Sequence, residues 1–115
     1  MDYHNKMFRP LHTSKQGEID TDTIFLYQQQ GNILTCTYEG RHVQSGHLIG
    51  LVDQEGVIDM RYHQVHTNGA LMTGICTSRP EFLPNGRIRL HESWHWTSGD
   101  CSAGHSILEE LLPTP

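Results

Sequence analysis

From Lys6 to Leu111 the chain alternates apolar and polar positions in short runs rich in Thr, Val, Ile, Tyr, Phe and Trp, broken at close intervals by turn-forming residues. A period of two is the signature of strands with one buried face. The runs predict eight strands: Lys6 to Thr13, Asp22 to Gln30, Ile33 to Glu39, His42 to Val52, Val57 to His66, Ala70 to Ser78, Arg87 to Trp96 and His105 to Leu111. The run from Ser106 to Leu112 also reads as helical, but it is too short to stand as a helix and serves equally as a closing strand. Pro10 marks an edge or a bulge in the first strand, because it cannot donate to a ladder. Gly31-Asn32 and Asn68-Gly69 read as two-residue hairpin turns. Asp53-Gln54-Glu55-Gly56 reads as a type I turn closed by a left-handed glycine, and Pro80 to Gly86 as a longer loop.

Sequential hairpins without long crossovers imply an all-β domain over residues 1–115. The expected architecture is an eight-stranded antiparallel up-and-down meander, closed as a lipocalin- or streptavidin-like barrel with room for side chains and one small ligand. A curved open sheet paired with a second copy is the alternative. The turns also predict a register. A two-residue Asn68-Gly69 turn puts Thr67 opposite Ala70, Val65 by Met72, His63 by Gly74, Arg61 by Cys76 and Asp59 by Ser78. A three-residue Gln54-Glu55-Gly56 loop puts Leu51 by Asp59, Ile49 by Arg61 and His47 by His63. One face then carries His47, Ile49, Leu51, Asp59, Arg61, His63, Val65, Met72 and Cys76. The other carries Leu48, Val52, Ile58, Met60, Tyr62, Leu71 and Ile75; it is the more apolar and is assigned to the interior.

Charge and composition narrow the partners. Eight Lys and Arg against 13 Asp and Glu leave a net charge of −5 on 115 residues, and the basic side chains are scattered, so the surface is not built to neutralise nucleic acid. The longest apolar stretches, Ile24 to Tyr27 and Leu48 to Val52, fall far short of the roughly 20 residues of a membrane helix. No apolar stretch follows Met1 that would direct secretion, so the cytoplasm is the expected compartment. Cys36, Cys76 and Cys101 form no Cys-x-x-Cys and fit reduced thiols.

The segment Arg87 to Thr97 holds the first candidate chemistry. Alternation places Ile88, Leu90, Glu92, Trp94 and Trp96 on one side of a strand, and Arg87, Arg89, His91, Ser93 and His95 on the other. An apolar floor, a carboxylate and two indoles in line resemble the wall and mouth of a binding barrel. Tyr62, Glu92, Trp94 and Trp96 are therefore the candidate ligand contacts; the plain reading is that they are core and rim residues. A second candidate cluster is His47, Asp59, Arg61 and His63 on one sheet face. These could hold an anion or use His63 as a general base, and otherwise form a solvated charge ladder. Nine histidines raise the question of metal. His91 and His95 lie about 13 Å apart along a strand, and His63 and His66 point to opposite faces. His47 with His63, helped by Cys76, lacks a specified third ligand, so no metal and no cofactor are expected. No Gly-x-Ser-x-Gly elbow or adjacent Cys/His pair is present.

The stretches Gly46 to Gly50, Asp59 to Gln64, Leu71 to Cys76, Leu83 to Glu92 and Trp94 to Asp100 resemble a family of small bacterial proteins whose members often carry the name N-acetylglutamate synthase. The resemblance spans about two-thirds of the chain. The name implies acetyl transfer, but the family brings no assigned catalytic residues onto these positions. This sequence also lacks the Gln/Arg-x-x-Gly-x-Gly/Ala turn that cradles the acetyl-CoA pyrophosphate at a helix start.

Three readings follow. The first is a small-molecule-binding barrel. The second is an enzyme, either an isomerase or lyase pairing Glu92 with His91 or His63, or the acetyltransferase of the family name. The third is a homodimeric interaction module using Ile49, Leu51, Val65 and Met72.

Overall fold

Nine strands form one antiparallel sheet in a computed structural model that describes residues 2–13 and 23–111. They are β1 (Met7–Thr13), β2 (Phe25–Leu26), β3 (Gln28–Gln30), β4 (Ile33–Tyr38), β5 (Val43–Val52), β6 (Ile58–His66), β7 (Leu71–Phe82), β8 (Ile88–Trp96) and β9 (Ala103–Leu111). The order across the sheet is β2-β1-β9-β8-β7-β6-β5-β4-β3. Its two ends are consecutive in the chain, separated only by Tyr27. The expected second strand is thus split: β2 pairs with β1 and β3 with β4, so one pass of chain joins both edges and closes the barrel. Among the described residues the closure pairs Met7 and Phe8 of β1 and Ile33 to Thr35 of β4, and the rest of both strands is paired on one side only. Asp22 and Leu112, expected in the second strand and the final run, lie outside the described residues. Through Leu111 that final run is strand.

Three hairpins share one turn design. Asp53 N–H donates to Val57 O at 3.0 Å, His66 to Ala70 at 2.8 Å and Leu83 to Arg87 at 2.9 Å. Each loop ends on a glycine at positive φ, namely Gly56 (84°), Gly69 (94°) and Gly86 (87°). Only glycine takes this conformation without cost. The prediction for Gly56 holds, but the two-residue turn at Asn68-Gly69 is corrected to a three-residue Thr67-Asn68-Gly69 loop. Asn68 Oδ1 accepts from Ala70 N–H at 2.9 Å, as Asn85 Oδ1 accepts from Arg87 N–H at 2.9 Å, so both Asn-Gly pairs do the same work.

The one-residue difference moves every pairing between β6 and β7. Tyr62 lies opposite Gly74, Met60 opposite Cys76, Gln64 opposite Met72 and Arg61 opposite Ile75. Cys76 and Met72 therefore turn inward, whereas Leu71 (69% exposed) and Ile75 (37%) turn outward, reversing the expected faces of that strand. The pairing of β5 with β6 is as expected, with His47 opposite His63 and Ile49 opposite Arg61. Strand β7 also runs past Ser78, through Pro80, to Phe82. Its ladder with β6 ends at Ser78, so the proline has a neighbour on one side only. Pro10 sits at a register shift between β1 and β9, the bulge its sequence position implies.

Phe8, Leu34, Ile58, Leu90 and Leu108 are sealed inside, and burial contributes about 1.5–3 kcal/mol for each large apolar side chain. The segment before β1 covers one end of the barrel. Tyr3 packs edge-on to Phe8 and Tyr27, both at 6.2 Å, and its hydroxyl donates to Gly56 O.

At Gly86 an added Cβ meets no atom within 4 Å, so backbone strain alone sets the cost of Gly86→Ala. A loss of about 1 kcal/mol is expected. Urea unfolding should show a lower midpoint with an unchanged slope; an unchanged midpoint would rule out the left-handed requirement.

Candidate functional site

Strand β8 alternates buried and exposed side chains along its length, and its inward set is Ile88, Leu90, Glu92, Trp94 and Trp96. Toward the end opposite Tyr3, these side chains help enclose a cavity of about 60 Å³. Its lining is Phe25, Tyr27, Tyr38, Leu48, Met60, Tyr62, Gln64, Cys76, Glu92, Trp94 and Trp96. All four first-ranked candidates, Tyr62, Glu92, Trp94 and Trp96, thus meet in one space. Trp94 and Trp96 have ring centroids 6.3 Å apart, and Tyr62 meets Trp96 edge-on at 5.2 Å. The Trp94 indole donates to Ser106 Oγ at 2.9 Å, which fixes that ring against β9. Tyr27 forms the floor, its ring 5.0 Å from Phe8 of the closed end.

Two glycines hold the cavity open. Gly46 lies opposite Tyr38, and Gly74 opposite Tyr62. A Cβ on Gly46 would stand 2.6 Å from Tyr38 Cζ, and one on Gly74 would stand 2.7 Å from Tyr62 Cε2. Each tyrosine ring therefore lies across the bare backbone of its neighbour instead of projecting inward, an aromatic cover over a strand glycine. The Tyr38 hydroxyl donates to Gln64 Oε1 at 2.9 Å and locks the rim.

Glu92 is the one carboxyl in this lining among the described residues, 8% exposed. Burial pushes its pKa up to about 7, and the adjacent Ser78 hydroxyl opposes part of that rise. Ser78 lies directly opposite on β7, although its buried Oγ makes no hydrogen bond of good geometry. Ser106 faces Glu92 from β9. The surrounding acids are weakened as well: burial, then the Glu92 charge, raises Tyr27, and burial raises Tyr38, Tyr62 and Cys76. Near neutral pH this is a pocket of neutral phenols and thiol around one carboxyl poised between its two protonation states.

The second cluster lies on the outer wall. His47 and His63 face each other with ring centroids 5.2 Å apart, and Asp59 bonds Arg61 at 2.7 Å, largely exposed. Cys76 is on the other side of the sheet, so the His47, His63 and Cys76 grouping is withdrawn. Among the described residues no three His, Cys, Asp or Glu side chains are arranged to hold a metal ion. His91 also faces outward and bonds Glu81 at 2.8 Å, so neither it nor His63 shares a space with Glu92. The acid-base pairs of the enzyme reading are thus separated by the barrel wall, as alternation along β8 already implied for His91. Sequence reasoning did not single out Tyr27, Tyr38 or Gln64 as lining. Their period-two positions carried a signal for the inward face, but nothing local showed which strands converge.

The chain is thus an antiparallel β-barrel with an aromatic cavity at one end. Residues 1–111 match the family described as Avidin-like protein, and the chain belongs to that family. No curated protein and no solved structure matches the sequence.

A carboxyl held near 7 in the folded chain and near 4.5 when free binds its proton more tightly in the fold. Its stabilising contribution is full below pH 4.5 and is lost as pH rises to 7. Relative to Glu92→Gln, the parent should lose about 3 kcal/mol of stability between pH 4.5 and pH 8. Urea unfolding of both proteins across that range measures it; parallel profiles would show that Glu92 is not desolvated.

Proposed function

We propose that this chain binds a small molecule at the open end of the barrel, with Trp94, Trp96 and Tyr62 as flat contact surface and Glu92 as the polar contact. The observation that carries the reading is the cavity itself: six of its 11 lining residues are aromatic, and one buried carboxyl faces them. About 60 Å³ is well below the roughly 300 Å³ of a pocket that swallows a drug-sized ligand. The occupant is then a compact group of a few heavy atoms, or the head of a larger ligand whose remainder stays at the mouth. The binding takes place in the cytoplasm on this reading, where the free thiols Cys36, Cys76 and Cys101 stay reduced. Acetyl transfer has weaker support. No helix is present among the described residues to hold a pyrophosphate at its N-terminus.

Biotin, suggested by the family's name, is the first probe, followed by a broad metabolite panel. A saturable change in tryptophan fluorescence is expected. Gly74→Ala, which forces Tyr62 into the cavity, should weaken the response at least about ten-fold, in line with a steric cost of 1–3 kcal/mol. A folded parent protein that responds to no compound sinks the proposal.

Self-association is favoured by a separate observation. Ile33 (46% exposed) pairs with Leu51 (54%), and Ile49 (47%) stands two residues along β5 on the same outer face. Val65 belongs to that face, but Met72 packs against the core, so it leaves the expected dimer surface and Ile75 joins it. Leu51→Lys should lower the solution mass measured by light scattering to that of one chain; a parent already monomeric at high concentration overturns the dimer.

A further inference from the structure

We propose that the group held in this cavity is the protonated nitrogen of a small organic cation, an ammonium, amidinium or guanidinium, with Glu92 as counter-ion and the rings of Tyr62, Trp94 and Trp96 as its cage. The proposal deepens the small-molecule reading and rests on it. Three observations point the same way. Among the described residues no Lys, Arg or His appears in the lining. Three basic side chains of the barrel are engaged on acidic partners of their own: Arg61 on Asp59 at 2.7 Å, Arg89 on Glu109 at 2.9 Å and Lys6 on Glu110 at 3.4 Å. None of them is paired with Glu92. Finally, six of the 11 lining residues are aromatic, and the face of an aromatic ring carries the negative part of its quadrupole.

An anionic head would meet a like charge in a dry site with nothing to offset either. A neutral head would leave the carboxyl holding its proton. A cation with N–H donors satisfies the carboxylate oxygens by charge-assisted hydrogen bonds, restores the ionised form and gains from the indole and phenol faces. The compact volume matches such a planar or tetrahedral nitrogen group.

Methylguanidinium, methylurea and acetate separate the cases, because the first two are near-isosteric and differ in charge. The readout is the indole N–H resonances of Trp94 and Trp96, the two tryptophans of the chain. Methylguanidinium should shift both saturably and bind at least about ten-fold more tightly than methylurea, with no response to acetate. Glu92→Gln should abolish that preference while keeping the methylurea response. Should that variant fail to fold, pH replaces it. Among the described residues the titratable groups that line the cavity with Glu92 are Tyr27 beside β2, Tyr38 on β4, Tyr62 on β6 and Cys76 on β7; all are raised and stay neutral. Only Glu92 changes charge between pH 5.5 and 8.5 among them, so the affinity for methylguanidinium should rise at least about ten-fold over that span. Equal or tighter binding of methylurea or acetate overturns the cation and leaves the small-molecule site standing. No response to any of these probes or to biotin, in protein with a native circular-dichroism spectrum, overturns both.

Discussion

Strand register, pinned by three-residue turns, is the constraint on which the cavity depends. Side chains alternate with a period of two, so one residue of slip in the loop at Thr67-Asn68-Gly69 exchanges the two faces of β7. With the observed pairing Gly74 faces Tyr62, and the ring has bare backbone to lie across. With the slipped pairing a threonine or isoleucine side would meet that ring, and Cys76 would leave the lining. The left-handed glycine at position 69 therefore acts at a distance: it sets a turn, the turn sets a ladder, and the ladder leaves the space that Tyr62 does not fill.

Glu92 is the local conflict in an otherwise consistent sequence. Every other charged side chain on β8 points outward, and hydrophobic burial sustains the wall on both sides of it. A desolvated carboxyl works against stability once it ionises, and the adjacent Ser78 offsets only part of that cost. Folds tolerate such a group where the remaining core carries the stability, and here Phe8, Leu34, Ile58, Leu90 and Leu108 do so below the cavity. The closed end and the strained end are thus separate regions of one barrel, with Tyr27 between them.

How much of this was legible in the sequence depends on the range of the interaction that decides each feature. The inward set of β8 needed no partner strand: alternation from Ile88 to Trp96 defines a face by itself, so Glu92, Trp94 and Trp96 could be grouped correctly. The face of β7 depended on turn type, and Asn-Gly is compatible with both a two-residue and a three-residue hairpin. The identical placement of asparagine before glycine in Pro84-Asn85-Gly86 was the available cue, since proline there suits the first position of a type I turn. The meeting of Tyr3 and Tyr27 inside the barrel was illegible for a different reason. Their positions follow from barrel closure, which brings Tyr3 to Gly56 across 53 residues of chain.

The histidines show what closure does to composition. An unplaced sequence with nine of them invites a metal site, yet the barrel wall sorts His47, His63, His91 and His95 onto the outside, where two face each other and one is held by Glu81. Among the described residues the same sorting leaves no arginine or lysine in the cavity lining and one carboxyl, Glu92, there, while the other buried carboxyl, Glu110, is paired with Lys6. What distinguishes the interior is thus not a surplus of any reactive group but a charge imbalance that the chain itself does not neutralise. In a low-dielectric space that imbalance can be relieved only by a proton or by a positively charged guest. Which of the two is present decides whether Glu92 is a neutral core residue or the recognition element of the site.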